Sequence, residues 1–319
     1  MTSTATIAPT ATDTAIFGAG LTCRYGDYLA VDGVDVSVKH GELFALLGTN
    51  GAGKTTTVET LEGHRKAEAG RIEVLGRDPH RRRRELAGDV AMVLQESGFA
   101  GNLTVGETLR LWNKLNRGRI GPLNPLADVQ LEHRREVRVS QLSGGERRRL
   151  DLALAISTAP KVLFLDEPTT GMDPTSRERT WWLIRELVDS GCAVLLTTHY
   201  LEEAEELADH LSIMHKGRVA VSGTVAEVAA SHAARIQCVL PEPLDDFVLP
   251  KTAGELSRHD RQLTIRTTAL QSDLHALLRW ADDNEIGLSQ LNATEASLRE
   301  VFASVQDDDN KIDQNGETS

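Results

Sequence analysis

The sequence predicts an α/β fold in which a mostly parallel sheet is flanked by helices. Short, continuous apolar runs at 43–47, 162–165 and 193–197 are typical of strands that are buried on both faces. Helical patterns separate these strands, and such alternation is typical of a parallel sheet. Polar residues follow the strands, and ligands on such sheets bind beyond the carboxyl ends of the strands. The fold class therefore also predicts where a functional site should lie.

The first of these strands leads into a segment with the pattern of a phosphate-binding loop. Between that strand and a helix starting near Thr55, the chain reads Gly48-Thr49-Asn50-Gly51-Ala52-Gly53-Lys54-Thr55-Thr56. Glycines allow successive N–H groups to surround an anion, and the helix N-terminus adds positive charge. Lys54 would reach the outer phosphates, and the Thr55 hydroxyl would ligate Mg²⁺. The alternative is a glycine-rich turn without nucleotide, but the strand–turn–helix context favours the phosphate loop.

Composition and charge restrict the class of protein. A chain of 319 residues with a 40% hydrophobic share can form one large or two modest globular domains. The formal charge of −12 gives no general attraction to nucleic acid, so the run Arg81–Arg84 favours a solvated helix start over a nucleic-acid contact. No apolar run approaches the roughly 18–20 residues that cross a bilayer, and no signal peptide is evident. The three cysteines lie far apart and predict reduced thiols. We therefore expect a soluble chain that reaches a membrane only through a partner.

The remaining elements are predicted from periodicity and from turn and capping residues. Before residue 233 we expect a hairpin over 17–37 and strands at 70–75, 90–94, 211–215 and 217–223. We also expect four helices: one that begins at Thr104, one that ends at about Thr158, one over 175–189 and one over 202–210. After it we expect strands at 235–240, 262–267 and 289–292, and helices at 269–283 and 296–305. The predicted organisation is a disordered tail (1–15), a main domain (16–232), a small α/β accessory domain (233–305) and a disordered acidic tail (306–319).

Four polar residues follow predicted strands and could act on a bound triphosphate. Asp166 is placed to hold Mg²⁺ directly or through water, and Glu167 could accept a proton from the attacking water. Gln95 could bridge the metal and that water, and His199 could hydrogen-bond the terminal phosphate. The alternatives are a solvated turn for the two acids, a polar strand end for Gln95 and a structural role for His199. Their common position after buried strands, beside a phosphate loop, favours the functional interpretation.

Together these motifs resemble those of an ATP-binding cassette (ABC) ATPase, over about residues 16–225. The resemblance is carried, in order, by Gly48–Thr55, Gln95, Leu142-Ser143-Gly144-Gly145-Glu146, Leu163–Glu167 and His199. The Leu-Ser-Gly-Gly element distinguishes this family from other phosphate-loop proteins, because many of them lack it. Gly171-Met172-Asp173-Pro174 looks like the D-loop of the family. Tyr25 stands where the family keeps an aromatic residue that stacks on adenine, the alternative being simple packing.

The resemblance implies a P-loop nucleotide-binding domain with an antiparallel β subdomain and a helical subdomain at about 96–158. It implies binding of ATP and Mg²⁺, and a homodimer in which Ser143, Gly144, Gly145 and Glu146 complete the opposite subunit's ATP site. It also implies a separate multi-span membrane permease, so that the chain would lie in the cytoplasm on the inner face of the cell membrane. Two departures from the family pattern are Glu146, where Gln or Met is commoner, and a helical segment that looks short and is interrupted by Pro122 and Pro125.

Two further segments look like the antibiotic-resistance exporter branch, typified by daunorubicin-resistance ATPases. They are Leu201–Glu205 and Ala296–Phe302. The expected function is therefore ATP hydrolysis that powers export of a drug-like or hydrophobic compound. The alternatives are the ATPase of an importer, a soluble ABC ATPase that acts on ribosomes or DNA, and a regulatory module that binds ATP without hydrolysing it.

Overall fold

The computed structural model describes residues 13–94, 98, 100–116, 124–231, 233–241 and 249–306. Contacts divide the chain into two units, Met1–Thr224 and Val225–Ser319. Gln95 and Pro122 lie outside the described residues, as do nearly all residues of the two predicted tails, although the first strand already begins at Thr14. The predicted boundary at 232/233 and the predicted helical subdomain stay predictions.

The first unit contains nine strands and seven α-helices in its described residues. The strands are β1 (Thr14–Tyr25), β2 (Tyr28–Lys39), β3 (Leu43–Gly48), β4 (Ala69–Val74), β5 (Val90–Val93), β6 (Val162–Asp166), β7 (Ala193–Thr198), β8 (His210–His215) and β9 (Arg218–Gly223). The helices are α1 (Lys54–Leu61), α2 (Arg83–Leu86), α3 (Val105–Leu115), α4 (Pro125–Asp128), α5 (Gly144–Ile156), α6 (Pro174–Asp189) and α7 (Leu201–Leu207).

The main sheet has six strands in the order β5-β6-β7-β3-β8-β9. All neighbours are parallel except β9, which pairs antiparallel with β8. Every residue of β3, β6 and β7 is buried, which explains why these strands read as unbroken apolar runs. The predicted parallel sheet is confirmed, and the carboxyl ends of β3, β6 and β7 meet at one edge.

A second, antiparallel sheet in the order β2-β1-β4 is formed by the predicted hairpin and the strand after α1. The hairpin turns between Tyr25 and Tyr28, which are register partners. The side chains of this sheet share a hydrophobic core with the phosphate-loop helix, where Leu21, Val36 and Leu61 are almost fully buried. The core therefore fixes the hairpin against the loop that it borders.

Side chains cap the starts of α3, α5 and α6. The helix predicted to begin at Thr104 is α3, and Thr104 and Glu107 form a capping box at its start. The prediction of a helix up to His210 was wrong, because α7 ends at Leu207 and His210 begins β8. Asp209 donates its N–H to the carbonyl of Leu43 at 2.9 Å, so pairing with β3 overrides the helical pattern of the segment.

The second unit is a four-stranded antiparallel sheet with helices. Its elements are α8 (Val225–Ala230), β10 (Ala234–Val239), β11 (Glu255–His259), β12 (Gln262–Thr267), α9 (Leu270–Asp283), β13 (Ser289–Thr294) and a helix α10 at 298–306, and the strand order is β11-β12-β10-β13. Alternate residues of β10 and β12, such as Ile236 and Ile265, pack with Leu277 of α9 in a small core. The strand β11 was not predicted, because its residues are mostly polar and exposed at the sheet edge.

In the described part of the chain, none of the helices combines the length and the apolar character that crossing a bilayer requires.

Candidate nucleotide site

The loop between β3 and α1 has the backbone shape of an anion-binding loop. Gly51 and Gly53 have φ angles of 82° and 101°, which residues other than glycine rarely adopt. A Cβ on Gly53 would lie 2.4 Å from the carbonyl oxygen of Ala30, and one on Gly48 would lie 2.7 Å from that of Met214. Only glycine fits these two positions, so sequence and backbone agree on a loop that wraps closely at the N-terminus of α1.

Lys54 is buried at the start of α1 with its ammonium folded over the loop. Its Nζ donates to the carbonyl oxygens of Gly48 at 2.8 Å and Thr49 at 3.2 Å. Burial lowers the pKa of Lys54, while the nearby charges of Glu167 and Asp166 act in the opposite direction. The predicted phosphate-binding lysine and the two predicted acids are therefore close enough to interact electrostatically.

Asp166 at the end of β6 joins three elements through its carboxylate. One oxygen, Oδ2, accepts from Thr55 Oγ1 at 3.2 Å, and the other accepts from the hydroxyl of Thr197 on β7. The side chain is only 4% exposed, so these hydrogen bonds replace water. Thr197 was not predicted as part of the site; its only signal in the sequence is a hydroxyl at the end of an apolar strand.

Glu167 and His199 are in direct contact. His199 Nδ1 lies 3.1 Å from Glu167 Oε1, and Thr170 Oγ1 lies 3.4 Å from Glu167 Oε2. Glu167 has a φ of 49°, unusual for a residue with a side chain, and its N–H donates to the carbonyl of Thr197 at 3.1 Å. The two residues predicted to act on the terminal phosphate are thus positioned together, at the ends of β6 and β7.

A cavity of about 320 Å³ lies over the phosphate loop. Its lining is Tyr25, Tyr28, Ala30, Asn50, Gly51, Gly53, Lys54, Thr55, Thr56 and Glu167. Tyr25 is 46% exposed, its hydroxyl lies 3.3 Å from Thr56 Oγ1, and the guanidinium of Arg65 lies 4.0 Å from its ring centroid. An exposed ring held from one side can stack on a flat ligand. Tyr28, which is 58% exposed, was missed, although its place opposite Tyr25 across the hairpin turn is a signal in the sequence.

The predicted signature segment begins α5. Ser143 is the N-cap of this helix, and its Oγ accepts from the N–H of Glu146 at 3.2 Å while the Glu146 carboxylate accepts from the N–H of Ser143 at 2.8 Å. Arg134 Nε donates to the other oxygen of Glu146 at 2.8 Å. These hydrogen bonds, led by the one from the Ser143 N–H, lower the pKa of Glu146. The carboxylate of Glu146 therefore caps its own helix, which explains how Glu can replace a residue with a side-chain amide here.

The structure does not bring the signature segment to the cavity. Ser143 and Gly144 are exposed, Gly145 is half-buried, and none of the four signature residues lines the cavity over the phosphate loop. Asp173 is the N-cap of α6. Its carboxylate accepts from the hydroxyl of Ser176 at 2.7 Å and from the N–H of Ser176 at 3.0 Å, and these hydrogen bonds, led by the one from the hydroxyl, lower the pKa of Asp173. Gln95 lies outside the described residues, but the carbonyl of the preceding Leu94 accepts from Arg148, a residue that sequence reasoning missed.

The donor set fits Mg²⁺ bound together with a triphosphate. Thr55 and Asp166 offer hard oxygen ligands 3.2 Å apart beside the cationic Lys54. Among the residues that the structure describes, no cluster of three His, Cys, Asp or Glu side chains could hold a metal alone. A magnesium ion that takes one or two protein oxygens and completes its shell with phosphate and water matches this arrangement.

Comparison with known families agrees with the geometry. The family model described as ABC transporter matches residues 31–170, and a model described as ABC transporter domain-containing protein-like, C-terminal domain, matches residues 234–297. The chain belongs to the ABC transporter ATP-binding family, whose members hydrolyse ATP. It is a nucleotide-binding subunit of a transporter, and the family's ATP-binding subunits work with separate membrane components.

Particular relatives extend over most of the chain. Daunorubicin resistance ATP-binding protein DrrA3 of Streptomyces coeruleorubidus is 40% identical over 312 residues, which cover 94% of this chain and 98% of the relative. Nod factor export ATP-binding protein I of Burkholderia orbicola is 42% identical over 207 residues, covering 63% and 67%. A solved ATP-binding subunit of an ABC transporter superposes with a TM-score of 0.63 at 27% identity, over 68% of this chain and 93% of that one.

Proposed function

We propose that this subunit hydrolyses ATP as a homodimer and powers export of a drug-like or hydrophobic compound through a separate multi-span permease. One observation carries the ATPase half: Lys54, Thr55, Asp166, Glu167 and His199 come from different segments and meet at the carboxyl ends of parallel strands. The printed names of the relatives, drug resistance and Nod factor export, support the direction of transport. The similarity to DrrA3 includes most of the second unit, where it adds to that support.

Within this proposal each residue has a role at a triphosphate. Tyr25 stacks on the adenine, and the loop residues Gly48, Asn50, Gly51, Ala52, Gly53, Lys54, Thr55 and Thr56 surround the phosphates. Thr55, Asp166 and Gln95 would hold Mg²⁺, which would neutralise charge that develops on the phosphate oxygens. Glu167 accepts the proton of the attacking water, Gln95 orients that water, and His199 holds Glu167 and donates to the terminal phosphate.

The exposure of the signature segment supports the proposed dimer. Ser143 and Gly144 are exposed at the N-terminus of a 13-residue helix and lie outside their own cavity lining. A helix N-terminus is suited to an anion, and a second copy of the chain would supply one in its bound ATP. Asp173 at the start of α6 would lie in the same interface.

The first test removes the ammonium over the phosphate loop. Lys54→Ala should weaken binding of a fluorescent ATP analogue and lower hydrolysis by about 10²-fold or more, because oriented positive charge at the transferring phosphoryl group is lost. Lys66→Ala, which removes an exposed lysine after the same helix, is the matched control. Equal phosphate release by Lys54→Ala and the control would refute the assignment of the site.

The second test separates dimer closure from hydrolysis. Glu167→Gln should bind Mg²⁺-ATP, lose about 10²-fold or more in kcat, and shift from monomer to dimer in light scattering when ATP is added. The exposed Glu205→Gln serves as the control. Full turnover by Glu167→Gln would remove Glu167 as the base, and a variant that stays monomeric with ATP bound would remove the ATP-dependent dimer.

The third test concerns the partner and the direction. We expect the reading frame beside this one to encode about six apolar spans long enough to cross a bilayer. Cells that express both proteins should accumulate less of a fluorescent anthracycline than cells with Lys54→Ala and the same neighbour. A neighbouring gene for a substrate-binding protein, with substrate uptake instead of efflux, would identify an importer.

A further inference from the structure

Arg148 is a buried arginine in the second turn of α5. Arg148 is 7% exposed, and its guanidinium lies against the main chain at the ends of β5 and β6. Within the described residues, four carbonyl oxygens accept from it: Pro168 from Nε at 3.3 Å, Glu167 from Nη2 at 2.8 Å, Asp166 from Nη2, and Leu94 from Nη1. Only arginine carries a planar fork of five donors, so it can reach several carbonyls at once.

Three of these carbonyls belong to the segment that carries Glu167. Glu167 has a φ of 49°, a left-handed conformation that a residue with a Cβ keeps only when its surroundings hold it. On one side its N–H donates to the Thr197 carbonyl at 3.1 Å, and on the other its own carbonyl accepts from Arg148. The direction of the Glu167 side chain thus depends on a peptide that is fixed on both sides.

The fourth carbonyl links the same guanidinium to a second loop. Leu94 directly follows β5 and directly precedes Gln95, so Arg148 joins the chain entering that residue to the chain at Glu167. Arg148 also lies five residues after Ser143 on one continuous helix, the helix that begins at the signature segment. Among the residues that line the cavity, Arg148 contacts Glu167, through the carbonyl of its main chain.

We propose that Arg148 is a positioning residue for ATP hydrolysis, which holds the peptide of Glu167 in its left-handed conformation through hydrogen bonds to the carbonyls of Leu94 and Asp166–Pro168. The inference rests on the proposed function, in which Glu167 is the base. Arg148 is not among the residues that line the cavity over the phosphate loop. It acts through Glu167, so its loss should lower the rate of hydrolysis far more than it lowers the affinity for ATP.

The first experiment compares Arg148→Met and Arg148→Lys in the full chain. Arg148→Met should reduce kcat by about 10²-fold, as expected for a misplaced reacting group, with KM and the affinity for a fluorescent ATP analogue changed less than about threefold. Arg148→Lys keeps one cationic donor group and should recover about tenfold of this loss. The control is Arg110→Met, an exposed arginine whose Nε donates to the carbonyl of Gly106 in its own helix, and its kcat should stay unchanged.

The second experiment distinguishes positioning from general stabilisation. In the background of Glu167→Gln, Arg148→Met should cause little further loss of kcat, because the group that it positions is already inactive. Independent, multiplicative losses would overturn the inference, as would a lower melting temperature without a lower kcat. If Arg148→Met does not fold, Arg148→Lys decides: lowered kcat at an unchanged melting temperature supports the inference, and unchanged kcat overturns it. Failure of the proposed function is seen separately, as full turnover of Glu167→Gln alone.

Discussion

The most quantitative prediction concerns Glu62, a carboxyl group buried at the end of the phosphate-loop helix. The residue is 5% exposed, and its Oε2 lies 3.0 Å from Nδ1 of His64. Burial raises the pKa of Glu62 to about 8, the charges of Asp166 and Glu59 add to this effect, and Arg83 opposes it. In the folded protein at neutral pH, Glu62 is therefore mostly protonated.

The sign of the effect on stability follows from proton uptake. Between the ordinary pKa of 4.5 and the folded pKa of about 8, the folded chain binds a proton that the unfolded chain releases, so the free energy of unfolding falls as the pH rises. At pH 7 the cost to the folded state is about 3 kcal/mol, from 1.4 kcal/mol for each pH unit above 4.5. Glu62→Gln has the shape of the protonated acid and removes this cost.

The assay is thermal unfolding of the wild type and of Glu62→Gln at pH 5, 7 and 8. We expect the variant to melt roughly 6–12 °C higher at pH 7, and its advantage to shrink to below about 1 kcal/mol at pH 5. Glu68→Gln is the control, since its side chain is 56% exposed, pairs with Arg24 and is not among the charges that raise the pKa of Glu62. Identical dependence on pH for the wild type and Glu62→Gln, or a lower melting temperature of the variant at pH 8, would refute the reasoning.

Three more predictions follow from single contacts. Gly53→Ala should weaken nucleotide binding at least about tenfold, because the added Cβ would collide with the carbonyl of Ala30. A Cβ on Gly51 meets no atom within 4 Å, so Gly51→Ala should cause only backbone strain of about 1–3 kcal/mol. Equal nucleotide affinities of the two variants would contradict this prediction. Asp273 is 2% exposed and accepts from two backbone N–H groups at 2.8 and 2.9 Å. Asp273→Ala should therefore destabilise the second unit by about 3 kcal/mol and speed amide hydrogen exchange there. Unchanged exchange would exclude a stabilising role for Asp273. Tyr25→Ala should raise the KM for ATP about tenfold and Tyr25→Phe should not, with the KM values as the measurement; the stacking role fails if both variants behave alike.

The parts of the fold that depend on local chemistry could be predicted from the sequence. Strands such as β3 and β6 are buried on both faces, so their apolar runs left little ambiguity, and the residues after them fell at one sheet edge as expected. The capping box at Thr104 is a contact within four residues, and it was equally visible. These predictions succeeded because each signal and its structural consequence lie close together in the chain.

The parts that depend on distant partners could not be predicted. The end of α7 is set by pairing of the next segment with β3, about 165 residues earlier in the sequence. Arg148 looks like any charged residue in a basic run of α5, and only the packed structure shows its guanidinium against the carbonyls beside Glu167. Tyr28 differs from these cases, since its place opposite Tyr25 across the predicted hairpin turn was a signal in the sequence that was overlooked.

The hydrogen bonds of Lys54 have a consequence for the arrival of nucleotide. Its ammonium donates to the two carbonyls at the entrance of the loop, so hydrogen bonds within the chain itself help to hold the loop in this shape. When a terminal phosphate binds, the Lys54 ammonium exchanges neutral carbonyl acceptors for anionic oxygens. The free-energy cost of ordering the loop then does not reduce the affinity for the nucleotide. The cation that is proposed to bind the terminal phosphate thus also holds the loop that would receive it.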